Sequence, residues 1–417
     1  MSKMLITGNA KLSGEVKVQG SKNSTLPILA ATLLCEDESV LYNCPDLTDV
    51  DATIQILRYL GCSVKRSDST LVVNTKTLSR SDIPHELMLK MRSSIIFLGV
   101  LLSRCERAKL SLPGGCELGP RPVDLHLSAL RQMGIDIVEE HGQLECVAKD
   151  GIKASKIALS FPSVGATENI MLASVKAKGT TIITNAAKEP EIADLADFLN
   201  SCGARISGAG ESTIIIEGVD KLKGCTHSII PDRIVAATLL SAAAVTGSKI
   251  TLDSVVMSHL SAVIPVFEQC GCEFEHKEGK LTIFSPRKLL SPKFIRTMPY
   301  PGFPTDAQAP IMAMTTKCDG LTVFIENIFE SRYKHVDELC RLGADIKVEG
   351  KVAVVDGVKH LSGATVRALD LRCAASLIIA ALSANGRTVM SGVKFLERGY
   401  EDFEVVLQTL GADVKKI

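Results

Sequence analysis

Apolar residues recur with the spacing of a helix in six stretches of this chain, and each stretch ends at a glycine that a strand-like segment follows. The six glycines lie 68 to 73 residues apart. Glycine directly after the last periodic residue is typical of a helix C-terminus. The pattern therefore predicts six copies of one structural unit. The six phrases are Leu60-Gly-Cys-Ser-Val, Met133-Gly-Ile-Asp-Ile, Cys202-Gly-Ala-Arg-Ile, Cys270-Gly-Cys-Glu-Phe, Leu342-Gly-Ala-Asp-Ile and Leu410-Gly-Ala-Asp-Val.

A second kind of helix precedes most of these phrases. It is rich in small residues and apolar almost all round, which is typical of a helix buried on every side. A strand with threonine or valine follows it. The unit is therefore predicted to run strand, buried helix, strand, outer helix and strand pair. The expected buried helices span residues 26–34, 170–177, 234–245, 309–316 and 374–384.

Six such units indicate an α/β protein of two domains with three units each, because about three repeats are needed to bury one another's faces. The midpoint of the repeat series falls near residues 225–232. The alternative is an open α/β solenoid. Helices that are apolar all round favour a closed arrangement, since a single-layer solenoid would leave one side of each helix uncovered.

Length and net charge limit the classes of function that the chain could have. The chain has 417 residues, of which 46% are apolar, and its 47 basic and 47 acidic side chains give a formal net charge of zero. That balance argues against a nucleic-acid partner held by bulk charge. An anionic ligand would have to meet a local cluster of cations.

The cysteines indicate a reducing compartment. All thirteen are scattered, mostly through apolar segments, and no apolar run approaches the roughly 18 residues of a membrane span. The first residues lack the apolar core of a signal peptide. We therefore expect a soluble cytoplasmic protein. The pair Cys270 and Cys272 has no second pair at zinc spacing, and the histidines form no His-x-x-x-His face, so no metal is expected.

One segment stands out as candidate chemistry. Between Ser111 and His126 the chain is too rich in glycine and proline for a helix or a central strand, so it is predicted to be a loop. Cys116 lies on it, and Arg121 stands five residues on between two prolines. A loop thiol near fixed cations can act as an acid or a nucleophile, whereas a cysteine in an apolar run is usually inert packing.

Two helix starts and a set of arginines are further candidates. Lys22 lies where free N–H groups and the helix dipole favour an anion, although a solvated lysine beside a helix cap is the common alternative. Asp306 is expected to cap the helix that follows it, although a general base would also be held there. Arginine suits a bidentate grip on phosphate or carboxylate, and surface ion pairs are the plainer interpretation. The arginines are Arg92, Arg121, Arg233, Arg332, Arg372 and Arg398.

Together these residues resemble the enolpyruvyl transferase family, and within it the enzymes that act on UDP-N-acetylglucosamine. The Leu112 to His126 stretch is the most specific part of the resemblance, which extends in order over the whole chain. The remaining motifs are Gly20-Ser-Lys-Asn, Lys90-Met-Arg-Ser-Ser-Ile, Pro162-Ser-Val-Gly-Ala-Thr, Lys188-Glu-Pro-Glu-Ile, Pro231-Asp-Arg-Ile, Phe303-Pro-Thr-Asp, Phe329-Glu-Ser-Arg-Tyr, Asp370-Leu-Arg and Glu397-Arg-Gly-Tyr-Glu.

The resemblance implies two inside-out α/β barrels, each of three βαβαββ repeats. The implied domains are residues 22–229, with a catalytic loop at 111–121, and residues 1–21 with 230–417, the active site lying in the cleft between them. The implied reaction moves enolpyruvyl from phosphoenolpyruvate to the 3-hydroxyl of the UDP-sugar and releases phosphate, without metal or organic cofactor. The alternatives are the sister activity on shikimate 3-phosphate and a silent paralogue that binds UDP-sugar.

Residue roles follow from the same resemblance. Cys116 is implied as the proton donor and fosfomycin target, and Asp306 as the base near the sugar hydroxyl. Lys22, Asn23, Arg121 and Arg398 are implied to hold phosphoenolpyruvate. The residues implied to contact or line the site of the nucleotide sugar are Asn23, Arg92, Arg121, Pro122, Val123, Asp124, Leu125, Ser163, Val164, Gly165, Asp306 and Ile328, with Asp232, Arg332, Asp370 and Arg372 lining the closed cleft.

One departure from the family pattern concerns the diphosphate. Phe161 and Pro162 stand just before Ser163, where a basic residue is common in the family. Part of the grip on the diphosphate is therefore expected to differ in this chain.

Overall fold

Six of the described α-helices end just before the six predicted glycines, as the repeated phrases indicate. The computed structural model describes residues 2–112 and 123–417. In that part of the chain the α-helices are α1 (Lys22–Ala31), α2 (Thr48–Tyr59), α3 (His85–Met88), α4 (Phe97–Cys105), α5 (Asp124–Gln132), α6 (Val164–Ser174), α7 (Pro190–Ser201), α8 (Arg233–Val245), α9 (Ile264–Gln269), α10 (Thr305–Thr315), α11 (Val336–Arg341), α12 (Leu371–Ser383) and α13 (Phe403–Thr409), and the 3-10 turns are Thr32–Leu34, Arg92–Ile96, Met257–Leu260 and Val393–Arg398.

The strands are short, and most alternate buried and exposed side chains, as expected of sheets with one covered face. They are β1 (Lys3–Thr7), β2 (Glu15–Lys17), β3 (Glu38–Tyr42), β4 (Ser63–Ser67), β5 (Thr70–Asn74), β6 (Asp82–Ile83), β7 (Arg107–Ser111), β8 (Asp136–Glu140), β9 (Gln143–Val147), β10 (Lys156–Ala158), β11 (Thr180–Thr184), β12 (Arg205–Ser207), β13 (Thr213–Glu217), β14 (Thr226–Ser228), β15 (Lys249–Asp253), β16 (Glu273–Lys277), β17 (Lys280–Phe284), β18 (Leu289–Leu290), β19 (Phe294–Arg296), β20 (Cys318–Asp319), β21 (Leu321–Ile325), β22 (Asp345–Glu349), β23 (Val352–Asp356), β24 (Thr365–Arg367), β25 (Arg387–Ser391) and β26 (Val414–Lys416).

Six four-stranded sheets of the described residues repeat one pattern, in which a parallel pair is extended by two antiparallel strands. A seventh, two-stranded sheet pairs β18 with β20. Six copies of one pairing pattern are the structural counterpart of the six glycine phrases. The strand orders are β14-β3-β5-β4, β6-β7-β9-β8, β10-β11-β13-β12, β2-β15-β17-β16, β19-β21-β23-β22 and β24-β25-β1-β26.

The chain divides into two compact units, each with its own apolar core. One contains residues 20–112 and 123–230, and the other contains residues 2–19 and 231–417. In the first unit β14 pairs in parallel with β3, although 186 residues separate Tyr42 from its partner in the ladder, Ser228. In the second unit β1 and β2, from the start of the chain, pair with β25, β26 and β15. Strands distant in sequence therefore complete the sheets of both units.

Helices occupy the interior of each unit. The central helices α8, α10 and α12 pack against one another, and residues on every face of each are buried. In the other unit α4 packs against α1 and α6, which are likewise buried. Sheets enclosing helices invert the usual α/β barrel, so the predicted inside-out fold is confirmed.

The glycines of the repeated phrase have the predicted backbone. All six have positive φ, between +82° and +103°. At Gly61 the N–H donates to the carbonyl of Arg58, and the N–H of Cys62 reaches back to Leu57. These bonds satisfy carbonyls that the end of α2 leaves open. A side chain at these positions would be strained.

The boundaries differ from the sequence prediction in one systematic way. The central helices begin earlier than expected, for example at Lys22 rather than residue 26 and at Thr305 rather than residue 309. The first turns of these helices contain polar residues, so the apolar pattern used to predict each helix begins only after its first turn. The helix α4 was not predicted, although it is buried from Phe97 to Ser103.

Candidate active site

The predicted site residues concentrate at the N-terminal ends of the central helices. Free backbone N–H groups and the helix dipole make such ends favourable for anions. The first turns or caps involved are Lys22 and Asn23 of α1, Ser163 of α6, Asp232 of α8, Asp306 of α10, and Asp370 with Arg372 of α12.

Three of these residues are helix N-caps. The side chain of Ser163 accepts a hydrogen bond from the N–H of Ala166 at 3.3 Å. Asp232 and Asp370 each accept two backbone N–H groups from the first turn that follows them, at 2.8 to 3.1 Å. Asp370 therefore caps its helix through backbone groups, and the buried Arg372 guanidinium pairs with Asp306.

Asp306 is held by two arginines, and this corrects the prediction that it caps its helix. The cap position of α10 is Pro304, and Asp306 lies within the first turn. Its Oδ1 lies 2.7 Å from an Nη2 atom of Arg332, and its Oδ2 lies 2.8 Å from Nη2 of Arg372. Both guanidinium groups are buried, at 3% and 6% exposure, whereas the carboxylate is 29% exposed. The carboxylate is thus fixed in orientation while one part of it stays accessible.

Arg372 connects Asp306 to the other central helices of its unit. Its Nη1 donates to the Tyr400 hydroxyl at 3.1 Å, and that hydroxyl lies 2.9 Å from the Thr238 hydroxyl on α8. Burial alone would lower the pKa of the Arg372 guanidinium, but the charges of Asp306, Tyr400 and Asp232 together with the hydrogen bond to Asp306 outweigh burial and raise that pKa. The side chain therefore stays charged within the core. Tyr400 belongs to a motif noted in the sequence, but its link to Thr238 had no sequence signal.

Glu326 shapes the loop that carries Ile328. Its carboxylate is buried at 1% exposure, and its Oε1 accepts the N–H groups of Ile328 and Phe329 at 2.8 and 3.0 Å. Its Oε2 accepts the hydroxyl of Thr305 at 3.0 Å, next to Asp306 in the chain. Sequence reasoning missed Glu326, because its partner Thr305 lies 21 residues away in the chain.

Lys22 is paired within its own unit. Its ammonium group lies 2.7 Å from Oδ2 of Asp49, and the two side chains are 13% and 4% exposed. Asn23 follows it, half-buried, in the first turn of α1. Asp49 lies 27 residues from Lys22 in the sequence, so no local pattern could indicate the pair.

Asp194 anchors the same helix from the other side. Its carboxylate accepts a hydrogen bond from the hydroxyl of Ser24, two residues after Lys22, and one from the N–H of Ile230 at 3.4 Å. Its Oδ1 lies 2.8 Å from Nε2 of His227. The side chain of Asp194 is 4% exposed, so these partners replace water around a buried charge. Asp194 thereby ties the start of α1 to α7 and to the segment after β14.

This anchor predicts a pH dependence of stability. Burial on its own would lower the pKa of His227, but the hydrogen bond and charge of Asp194 outweigh it and raise that pKa above its usual value. Folding therefore favours the protonated ring, and the contribution is full below about pH 6.5 and is lost as pH rises through the folded-state pKa. The melting-temperature difference between wild type and His227→Gln should shrink as pH rises. A difference that is constant with pH would contradict this account.

Gly165, which is predicted to hold the nucleotide sugar, lies against a buried histidine, His126. Burial, assisted by the charge of Arg92, lowers the pKa of His126 to about 4. Its Nδ1 lies 2.8 Å from the amide nitrogen of Asn169, which donates to it. A Cβ on Gly165 would lie 3.1 Å from Cε1 of this ring, so a larger residue there would require the ring to shift slightly. Sequence reasoning missed Asn169.

Other predicted residues of this unit lie close by in the fold. Val123, Leu125 and Val164 are partly buried against the core of the unit, and Asp124 is exposed at the start of α5. Phe161 is exposed and its carbonyl accepts the N–H of Ser163 at 2.7 Å. An exposed aromatic ring therefore lies two residues before the Ser163 helix cap.

Three predicted residues, Cys116, Arg121 and Pro122, lie outside the described part of the chain. Arg398 is the half-buried last residue of a 3-10 turn. Residues 2–112 and 123–417 bring together no group of three or more His, Cys, Asp or Glu side chains able to hold a metal ion. In the same residues no helix is long and apolar enough to cross a membrane.

Comparison with known proteins identifies the family to which the chain is related. A family model described as EPSP synthase (3-phosphoshikimate 1-carboxyvinyltransferase) matches residues 6–407. The chain is 48% identical to UDP-N-acetylglucosamine 1-carboxyvinyltransferase 2 of Caldanaerobacter subterraneus subsp. tengcongensis, with 100% of both chains covered. It is 47% identical to UDP-N-acetylglucosamine 1-carboxyvinyltransferase 1 of Carboxydothermus hydrogenoformans, over 100% of this chain and 99% of that protein.

A solved structure supports the same placement. The enolpyruvyl transferase NikO from Streptomyces tendae superposes with a TM-score of 0.91 at 25% identity, covering 100% of this chain and 98% of that one. The resemblance inferred from the motifs is confirmed. The chain therefore belongs to the EPSP synthase family of enolpyruvyl transferases, and within that family to the UDP-N-acetylglucosamine 1-carboxyvinyltransferases.

Proposed function

We propose that this protein transfers the enolpyruvyl group of phosphoenolpyruvate to the 3-hydroxyl of UDP-N-acetylglucosamine and releases phosphate. The observation that carries the proposal is full-length identity of 44 to 48% to proteins named for that activity. In the cell this reaction is the first committed step of peptidoglycan synthesis. We place it in the cytoplasm, with a role in cell-wall biogenesis, cell shape and division, and as a target of fosfomycin.

Binding of phosphoenolpyruvate requires fixed cations. The substrate carries about three negative charges, and an activated enol must be shielded from water. We assign Lys22, Arg121 and Arg398 to its phosphate and carboxylate, with Asn23 beside them. The Lys22 ammonium is already oriented by Asp49 at 2.7 Å, so little side-chain freedom remains to be lost on binding.

The chemistry needs a base and an acid. We assign Asp306 as the base that takes the proton of the sugar 3-hydroxyl while its oxygen adds to C2 of phosphoenolpyruvate. Cys116 supplies a proton to the methylene carbon in the same step. Loss of phosphate and of one methyl proton then restores the double bond. The arginines that hold Asp306 fix the direction from which it meets the hydroxyl.

We assign to the nucleotide sugar the contacts implied by the family motifs. Asp232, Asp370 and the two arginines of Asp306 are assigned to the lining of its site. Phe161 replaces a cation near the diphosphate, so helix N-termini and Arg92 would carry more of that contact. The contact residues are Asn23, Arg92, Arg121, Pro122, Val123, Asp124, Leu125, Ser163, Val164, Gly165, Asp306 and Ile328.

Phosphate release tests the function directly. Release from phosphoenolpyruvate should require UDP-N-acetylglucosamine and should not occur with shikimate 3-phosphate. Dependence on shikimate 3-phosphate would establish the sister activity instead. Tight binding of the UDP-sugar without phosphate release in either assay would identify a silent paralogue.

The loop of Ile328 gives a sharper prediction. Glu326→Ala leaves two backbone N–H groups and the Thr305 hydroxyl without their acceptor, so KM for the UDP-sugar should rise by about tenfold, and stability should fall by about 1–3 kcal/mol. Glu326→Gln keeps an oxygen toward the two N–H groups and is the matched control. Steady-state kinetics on both substrates should show KM for phosphoenolpyruvate changing less. Equal effects of the two variants would contradict this role.

A further inference from the structure

Two thiols face each other at the end of an outer helix, away from the residues assigned to the reaction. Cys202 follows the last residue of α7, and Cys225 lies directly before β14. Their sulfur atoms are 3.3 Å apart, close enough for an S–H···S hydrogen bond. The N–H of Lys223 donates to the carbonyl of Cys202 at 2.9 Å, so the two backbone segments are held together beside the thiols.

The two cysteines differ in access and in acidity. Cys202 is buried at 3% exposure, whereas Cys225 is half-buried. The hydrogen bond from Cys202 lowers the pKa of Cys225, burial opposes this, and the nearby His227 adds to the lowering. The thiolate is the reactive form of cysteine, so Cys225 has the surroundings of an attacking thiol and Cys202 those of a resolving one.

We propose that Cys202 and Cys225 form a peroxide-sensitive modification site, which oxidises reversibly to an intramolecular disulfide. The proposal is independent of the transferase reaction, since neither cysteine is among the residues assigned to it. The sulfur atoms must approach by about 1.3 Å to reach a bond of ~2.05 Å. Rotation of two side chains can supply such a movement, because Cys225 lies in the connection before β14 rather than in a strand.

The step balances with one peroxide as the oxidant. The Cys225 thiolate attacks one peroxide oxygen, the O–O bond breaks, and a sulfenic acid forms as hydroxide leaves and takes up a proton. The sulfur of Cys202 then attacks the sulfenic sulfur, and its proton leaves with the hydroxyl as a second water. Two thiols and one hydrogen peroxide thus give one disulfide and two waters.

A neighbouring thiol defines the competing outcome. Cys35 also hydrogen-bonds Cys202, and that contact adds to the raised pKa of Cys202. Cys35 is fully buried, at 0% exposure. A peroxide would therefore meet Cys225 first, and the disulfide should join Cys202 to Cys225 rather than to Cys35.

Peptide mapping tests the proposal on the full-length protein. A Cys116→Ser background keeps the loop thiol from consuming oxidant. After treatment with hydrogen peroxide, alkylation and digestion without reductant, mass spectrometry should find the 202 and 225 peptides joined and lighter by two hydrogens, and dithiothreitol should separate them. Cys340 is the internal control, because it is exposed but its pKa is raised by burial. Cys225 should be oxidised at least about tenfold faster than Cys340.

Two variants separate the roles of the thiols. Cys202→Ser should leave a sulfenic acid on Cys225 that dimedone traps, and Cys225→Ser should abolish the cross-link. The proposal is overturned if Cys225 stays alkylatable while Cys340 oxidises, or if the cross-link joins Cys35 to Cys202. Because the wild-type pair is mapped directly, the result does not depend on whether either variant folds.

Discussion

Asp306→Asn is expected to lower turnover by about 10²- to 10⁴-fold while UDP-N-acetylglucosamine still binds. The amide oxygen has no useful proton affinity at neutral pH, so general-base assistance to the sugar hydroxyl is lost. The amide nitrogen also cannot accept a hydrogen bond, and it would face Arg332 or Arg372 where a carboxylate oxygen now lies at 2.7 or 2.8 Å. Turnover and sugar binding should be measured separately.

The same change should affect stability, unlike a change at a simple helix cap. Arg332 and Arg372 are buried, and one of them would lose a charged partner, at a cost of about 1–3 kcal/mol. Asp370→Asn is the matched control for melting, because Asp370 caps α12 through backbone N–H groups and asparagine caps about as well. Near-normal turnover of a folded Asp306→Asn protein would remove Asp306 from the chemistry.

Cys116→Ser is expected to lose most turnover and to escape alkylation by fosfomycin. A serine hydroxyl, with a pKa well above about 10, is a far poorer acid than a thiol near 8.5. It is also a far weaker nucleophile toward an epoxide than a thiolate. Turnover and covalent labelling by intact mass are the measurements.

Cys116→Asp separates the two properties of the thiol. A carboxylic acid can still donate a proton, but it resists the epoxide, so this variant should turn over and remain unlabelled by the drug. Full activity of Cys116→Ser would remove the thiol from the mechanism. Inactive Cys116→Asp protein that is folded and binds both substrates would show that proton donation is not the role of this residue.

The fold was predictable because each copy of the repeat has its own short sequence pattern, a periodic helix followed by a glycine. Gly61 and its five equivalents each follow a periodic helix, and all six have the positive φ that the pattern predicts. The first strand of the unit was predicted but not located in the sequence, because strands of three residues such as β10 and β24 are too short to show alternation of apolar and polar positions. The helix α4 was missed for a different reason. Its apolar run was not recognised as the equivalent of the buried helices in the other units.

The candidate site was predictable only in part. Lys22, Asp306 and Arg372 lie in recognisable motifs at helix starts, and family resemblance supplied their roles. The partners that each of these side chains contacts lie far away in the sequence. Arg332 lies 26 residues and Arg372 lies 66 residues from Asp306, so their shared carboxylate leaves no local pattern. Buried partners such as Asp49 and Glu326 are likewise visible only once the chain is folded.

The closing strands impose an order on how the chain can be made. Strand β1 leaves the ribosome first, yet its partners β25 and β26 belong to the last thirty-one residues, 387–417. At ~5–20 residues per second, β1 has to wait roughly 20 to 80 seconds for them. Residues 20–230, by contrast, contain every strand of their own sheets and can finish folding while synthesis continues. The nascent segment 3–7 must therefore stay without its sheet partners throughout that interval, which exposes it to premature strand pairing.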